Sequence, residues 1–386
     1  MANHLTLAVA GSRKTQGIVE HCASLPPDRR ALVLTYTQAN QAELRHRLAK
    51  YAGKHSGIVA MGWFTFLLRE FARPFLPFKF SGERVCGFNF DGRPHLKAKG
   101  RSRFIDSNGA VYACELGRLA HELVAASRGA LLRRLECIYD EILIDEVQDL
   151  SAHDWEIVDV LLDSALEVRM VGDIRQSVLS TNPRSSKNKK YAYAEAVRWF
   201  REREKHGVLH IIERVTTWRC HPKIAEFSDT IFDSSWSFPA TESLNEAVTD
   251  HDGVFLLRRE HIDEYVTRFR PLCLRDSANS GKALDLDYIN FRLAKGMTCE
   301  RVLIVPTSGI TKFVQTGTHL DPVPAAKFYV AVTRAAQSVA IVADEPGKSP
   351  LPYWEPASPA QQAAAADRPK HERFGSLPSL RSSGGN

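Results

Sequence analysis

At 386 residues the chain has room for two domains that each bury a core of their own. With 44% hydrophobic and 25% charged residues, and no apolar run long enough to cross a bilayer, it has the composition of a soluble globular protein, and a membrane-spanning chain is excluded. The net charge of +6 permits a nucleic-acid partner without demanding one, because the excess is small for this length.

The amino terminus, Met-Ala-Asn-His before LTLAVA, has neither a basic region nor a cleavable apolar segment, so no signal peptide and a cytoplasmic location are expected. The seven cysteines stand singly at 22, 86, 114, 137, 220, 273 and 299. Without a CxxC pair they point away from zinc, iron–sulfur and disulfide frameworks and read as small buried hydrophobes.

LTLAVA predicts a first strand. The turn after it contains Gly11, Ser12, Arg13, Lys14 and Thr15, and a helix is predicted from about Gln16. Strand, loop and helix in this order form the setting of a phosphate-binding loop, in which a lysine neutralises phosphates and a following threonine ligates Mg²⁺. The usual glycines are replaced by Val9 and Arg13, which do not readily adopt positive φ. Taken alone, the loop fits a basic helix start behind a buried strand as well as it fits a nucleotide site.

ALVLTYT predicts the next strand, and WFTFLLREF follows before an irregular, glycine-containing and basic stretch at about 78–110 that reads as a small inserted hairpin or loop. EILIDE and EVRMVGD predict further strands of one sheet. VLHIIER is taken to open a second sheet, which ERVLIVPT and SVAIVAD complete. Apolar runs alternating with amphipathic helices indicate an α/β fold with parallel sheets. The expected division is a first domain over 1–206, a second over 207–346, and a Pro-, Ala-, Ser- and Gly-rich disordered tail over 347–386.

CIYDEILIDEVQDLS is the more specific motif. It places Asp145 and Glu146 at the carboxyl end of an apolar run, where α/β sheets bind ligands, and two ionised carboxylates there call for a cation. Asp145 can hold Mg²⁺ with Thr15, and Glu146 can take a proton from attacking water.

These motifs, taken in order, resemble the UvrD/Rep-like helicases of superfamily 1, over nearly all of the chain from Leu5 to Val342. DEVQD is similar to the family's DExxD box, VGDIRQS to its VGDxxQS motif, TTWRCHPKI to the motif opening its second domain, LAKGMTCERVLIVPT to its SKGLEFDxV segment, and KFYVAVTRA to its YVAVTRA motif. The resemblance implies two RecA-like P-loop NTPase domains binding ATP and Mg²⁺. It implies that Gln176, Arg219 and Arg334 engage the γ-phosphate beside the catalytic Asp145 and Glu146. Gly11, Ser12, Arg13, Lys14, Thr15, Gln16 and Trp218 would bind the nucleotide, with Trp218 stacking on its base. Thr35, Tyr36, Thr37, Trp63, Phe64, Lys295 and Gly296 would contact DNA.

The activity so implied is a DNA-dependent ATPase and single-stranded DNA translocase or helicase of 3′ to 5′ polarity, in repair or in defence against foreign DNA, with a nuclease or repair factor as a partner. The alternative is a nucleotide-gated DNA-binding switch with little turnover. Three departures from the family bear on this. Thr298 stands where the family has glutamate, the stretch SVLSTNPRSSKNKKY lacks base-stacking aromatics and offers Arg184, Lys187, Lys189 and Lys190 instead, and from Cys220 to Leu293 the chain has no room for a large helical insertion.

Overall fold

The computed structural model describes residues 3–182 and 184–356. It has the expected α/β class, with two parallel sheets that each carry helices. The first sheet contains β1 (His4–Ala8), β2 (Ala31–Thr35), β3 (Ile58–Gly62), β4 (Glu141–Ile144), β5 (Glu167–Gly172) and β6 (His210–Arg214), in the spatial order β3-β2-β4-β5-β1-β6. β2 and β4 are buried along their whole length. Alternation across the pleat explains why: Ala31, Val33 and Leu143 face the helices Lys14–Ser24 and Gln38–Tyr51, while Leu32, Leu34, Ile142 and Ile144 enter a larger core on the other face.

The domain boundary differs from the expected one. VLHIIER does form a strand, but it pairs in parallel with β1, from His4 opposite His210 to Ala8 opposite Arg214, so the first lobe extends to Arg214 rather than ending at residue 206. The helix Ala196–Lys205 returns the chain to the open edge of β1, and Ile212 stays exposed as suits an edge strand.

The second sheet contains β7 (Gly253–Leu257), β8 (Leu272–Arg275), β9 (Tyr288–Asn290), β10 (Cys299–Val305) and β11 (Ala335–Val342), in the order β7-β11-β10-β8-β9. Before β11 runs the helix Pro322–Val332, whose residues from Phe328 to Val332 are all buried. It lies between the second sheet and the first lobe.

The insertion ends in a small antiparallel turn-back, with Ile105 bridged to Val111, the Asp106 N–H donating to Ala110 O at 2.9 Å and the Tyr112 N–H to Phe104 O at 3.0 Å; Gly87–Asn89 adds to it in parallel along Ala110–Tyr112, and Val85, Phe104, Ile105 and Val111 anchor it to the first lobe's core. The tail expected from Gly347 is ordered through Pro356. The Leu256 N–H donates to Pro352 O at 2.8 Å, the Trp354 N–H donates to Leu256 O at 2.9 Å, and the Trp354 indole is buried against Tyr265. One large apolar side chain was enough to overrule the composition of that stretch. The remainder of the expected tail, 357–386, lies outside the described residues. Cys86 and Cys137 are exposed, against the reading of all seven cysteines as buried. No helix among the described residues is long and apolar enough to cross a membrane.

Candidate functional site

Because every strand of the first sheet is parallel, the carboxyl ends of β1, β4 and β5 share one edge. The loop after β1 is tied to β6 by the Val9 N–H, which donates to Arg214 O at 3.1 Å. Val9 is buried and is not among the residues at positive φ, so no glycine is required there. Gly11 has φ 75, and a Cβ at that position would stand 2.6 Å from both Thr217 Oγ1 and Arg219 Cβ. Arg13 adopts φ 58 and ψ 33, the left-handed conformation that its side chain disfavours, directly before the helix at Lys14. Its guanidinium lies 4.9 Å from the centroid of the Trp218 ring. Ser12 Oγ is buried with no hydrogen-bond partner among the described residues.

Behind the loop the carboxylates are already engaged. Lys14 Nζ lies 3.0 Å from Glu146 Oε1, and the Thr15 hydroxyl donates to Asp145 Oδ2 at 3.0 Å. Glu146 takes φ 55, its N–H donates to Asp145 Oδ1 at 3.0 Å, and the Gln148 amide donates to its Oε2. Burial acts to raise the Glu146 carboxyl, but the ammonium groups of Lys14 and Lys295 outweigh it and hold the group well below the usual carboxylate range. Asp145 is raised, by burial first and then by the Glu146 charge.

A cleft of about 590 Å³ opens over these groups, lined by the loop from Gly11 to Gln16, by Asp145 and Glu146, and by Trp218 and Arg219 of the facing lobe. The close fit at Gly11, the unpartnered Ser12 hydroxyl and the Lys14, Thr15 and Asp145 set suit a nucleotide with its Mg²⁺. No group of three or more His, Cys, Asp or Glu able to hold a metal occurs among the described residues. Thr15 and Asp145 are thus a partial ligand set, of the kind that phosphate oxygens and waters complete around Mg²⁺.

Gln176 and Arg334 come together, but with each other. Arg334 Nη2 donates to Gln176 Oε1 at 3.1 Å, its other donors reach Val330 O and Met297 O, and neither side chain lines the cleft. Burial, and then the Arg219 charge, lower Arg334 to about 10, so it remains cationic at neutral pH. Arg219 does line the cleft, and its Nη1 donates to Thr333 O at 3.1 Å.

Lys295, expected on DNA, is instead turned inward: its ammonium lies 2.8 Å from both Asp149 oxygens and 3.3 Å from Glu146 Oε2. The neighbouring Gly296 lines the same cleft as Lys14 and Glu146. Trp63, also expected on DNA, is fully buried against Phe66, which removes it from any ligand. Thr35 is buried at the end of β2, and Thr37 caps the helix Gln38–Tyr51 by accepting from the Asn40 N–H at 3.1 Å. Tyr36 and Phe64 are half-buried with ring centroids 5.9 Å apart. Burial, with the Asp149 and Asp154 charges, raises the Tyr36 hydroxyl above its ordinary pKa, while Arg292 and Lys295 oppose the rise.

Sequence reasoning missed three participants. Asp149 receives Lys295, Asp173 accepts from the Gln176 amide at 2.7 Å, and the Tyr329 hydroxyl accepts from the Ala10 N–H at 3.3 Å. Asp149 and Asp173 were visible as the last acid of DEVQD and the acid of VGD, and Tyr329 as the aromatic of YVAVTRA.

Among known families, residues 97–190 match the UvrD/REP helicase N-terminal domain. That segment contains Asp145, Glu146 and Gln176 but neither the loop after β1 nor the second sheet. No curated protein matches the sequence. Solved structures similar to the chain include the Arterivirus nonstructural protein 10 helicase, at 14% identity and TM-score 0.45, covering 88% of this chain and 59% of that one. A complex of Arterivirus nonstructural protein 10 with DNA matches at 13% identity and TM-score 0.44, covering 88% and 61%. The chain therefore spans about three fifths of the length of these helicases.

Proposed function

We propose, for a chain whose residues 97–190 match the UvrD/REP helicase N-terminal domain and whose motifs resemble the UvrD/Rep-like superfamily 1 helicases, that it is an ATP-dependent translocase on single-stranded DNA. The observation that carries this reading is the convergence on Glu146 of two ammonium groups, Lys14 from the loop at 3.0 Å and Lys295 from the second lobe at 3.3 Å. One carboxylate thereby senses both the phosphate loop and the position of the other lobe.

Bound Mg²⁺ and ATP supply a cleavable γ-phosphate and the positive charge that stabilises it. Thr15 and Asp145 are the residues to hold the metal, Lys14 and the loop N–H groups to hold phosphates, and Trp218 to stack on the base. When Lys14 turns to an anionic ligand, its hold on Glu146 weakens. The carboxylate then becomes more basic, as a proton acceptor for water must be. Arg219 faces the same cleft and adds positive charge from the second lobe.

A 3′ to 5′ direction, a place in repair or in defence against foreign DNA, a cytoplasmic location and a nuclease or repair partner belong to the same reading. So does dependence on that partner for separating a duplex, since the chain lacks a large second-lobe insertion. A nucleotide-gated switch with little turnover is the second reading, favoured by Gln176 and Arg334 binding each other instead of facing the cleft.

The deciding experiment is steady-state ATP hydrolysis with and without single-stranded DNA, beside Glu146→Gln and Lys14→Ala. A motor shows DNA stimulation, a drop of about 10²- to 10⁴-fold in Glu146→Gln, and loss of nucleotide binding in Lys14→Ala. ATP binding with the same slow phosphate release whether or not DNA is present establishes the switch instead.

A further inference from the structure

We propose that a cavity behind the phosphate loop, at the junction of the two lobes, is a binding site for a small planar aromatic anion, whose presence restrains the lobes in the arrangement seen here. The site itself stands on the geometry of the cavity; its effect on turnover rests on the reading of the chain as an ATP-driven motor.

The cavity has a volume of about 570 Å³, in the range that takes a small molecule, and it shares no residue with the nucleotide cleft. On the first lobe's side it is lined by Leu7, Ala8 and Val9 at the end of β1, and by Ile174 and Val197. The opposite wall, residues 235–239, comes from the second lobe and presents two rings, Trp236 and Phe238, whose planes lie within 6° of each other at 6.1 Å. Phe238 is fixed in place: Phe232 meets it edge-on at 5.3 Å, and the buried Arg175 guanidinium lies 5.7 Å from its centroid. Both wall rings are only half-buried, so aromatic surface stands ready for a flat ligand.

The charged lining selects the sign of that ligand. Arg198, Arg201 and Lys205 lie along one face of the helix Ala196–Lys205, and Arg214 ends β6. The three carboxylates that line the cavity are already engaged. Asp173 accepts from the Gln176 amide at 2.7 Å, Glu202 accepts from the Tyr191 hydroxyl at 2.7 Å, and Glu213 is paired with Arg201. Arg198 lies 2.8 Å from Glu195. Lys205 and Arg214 form no ion pair among the described residues, which leaves two cations without a counter-charge beside an apolar hollow. An anion there gains charge-assisted contacts, whereas a cation meets no unengaged carboxylate.

The position gives the occupant a route to the nucleotide site. The Val9 N–H donates to Arg214 O at 3.1 Å, and the Arg214 guanidinium packs against the helix that follows the phosphate loop, where a Cβ added at Gly17 would stand 3.2 Å from Arg214 Nη1. The same cavity borders Arg175, whose 2.8 Å contact with Asp229 joins the lobes. A ligand held between Trp236 and Arg214 therefore bridges the two lobes, and a cycle that requires them to part is slowed.

The test is calorimetric titration of the full chain, without nucleotide, with β-naphthoate and with its neutral analogue β-naphthalenemethanol. Saturable binding of the carboxylate, about tenfold tighter than the alcohol, is expected. Lys205→Gln with Arg214→Gln should remove that preference, and Trp236→Ala should weaken both ligands about tenfold, with Trp236→Phe restoring most of the loss. Trp218→Ala, in the nucleotide cleft, should leave β-naphthoate binding unchanged. No binding, equal affinity for acid and alcohol, or loss of binding in Trp218→Ala would overturn the site. At saturation β-naphthoate should slow DNA-stimulated ATP hydrolysis severalfold in the unmodified chain and not in Trp236→Ala; binding with undiminished hydrolysis would overturn the restraint. Absence of DNA-stimulated hydrolysis in the ligand-free chain would instead remove the motor reading, and the titration, which uses no nucleotide, would still decide the site.

Discussion

Arg13 holds a backbone conformation that costs an L side chain roughly 1–2 kcal/mol, and offsets part of that by laying its guanidinium over the Trp218 ring. Glycine would hold the same turn without strain but would lose the cation beside the cleft. The two effects separate in measurement. Arg13→Gly is expected to leave the melting temperature unchanged or slightly higher while weakening ATP binding, and an equal or tighter affinity by titration would show that the arginine serves the fold alone. Glu146 sits at a second left-handed position, φ 55, which turns its carboxylate back between Lys14 and Lys295. At both places a non-glycine residue is held in a strained conformation beside the site it serves.

At the scale of elements, the short stretch after β11 has a structural task. Tyr353 bridges to Leu256 at the sheet's edge, and Trp354 closes a small core made by Leu257, Tyr265 and Val342. Trp354→Ala should therefore destabilise the chain by about 3–5 kcal/mol, seen as a lower denaturation midpoint, whereas substituting the exposed Glu355 should do little.

Nothing but the single indole hinted at this in a segment rich in proline and alanine. Elsewhere legibility followed burial and length together. β1, β2, β4, β5, β10 and β11 were readable as apolar runs because helices cover both faces of their sheets, while β3 is only half-buried, β9 has three residues, and β7 and β8, though largely buried, were too short to stand out from the apolar residues around them. β6 was recognisable as a strand, yet its neighbour was not, because pairing with β1 is settled by contacts some two hundred residues apart that local periodicity does not carry. The site divides in the same way. Lys14, Thr15, Asp145 and Glu146 are adjacent in short motifs and meet in space, whereas the inward turn of Lys295 and the burial of Trp63 depend on what the rest of the chain brings up against them.

Across the whole molecule, the two lobes are joined by buried polar contacts as well as by apolar packing. Lys295 from the second lobe is clamped between Asp149 and Glu146 of the first, and Arg175 of the first lies 2.8 Å from Asp229 of the second. Removing one side of the first contact strands a buried carboxylate. Lys295→Met is expected to cost about 3–5 kcal/mol, and adding Asp149→Asn should recover part of it; a double-mutant cycle by chemical denaturation measures that coupling, and strictly additive effects would show that the contact is incidental.

The apolar packing has a consequence for how the protein is made. One unbroken core runs from Leu5 to Ala343, and the helix Pro322–Val332 supplies much of what the first lobe packs against. While the chain is being synthesised, the first lobe leaves the ribosome with that surface bare, and β11, which belongs between β7 and β10, emerges later still. The nascent first lobe thus carries exposed apolar surface while the second lobe is being made and depends on restraint from aggregation until the helix Pro322–Val332 and β11 arrive to close it.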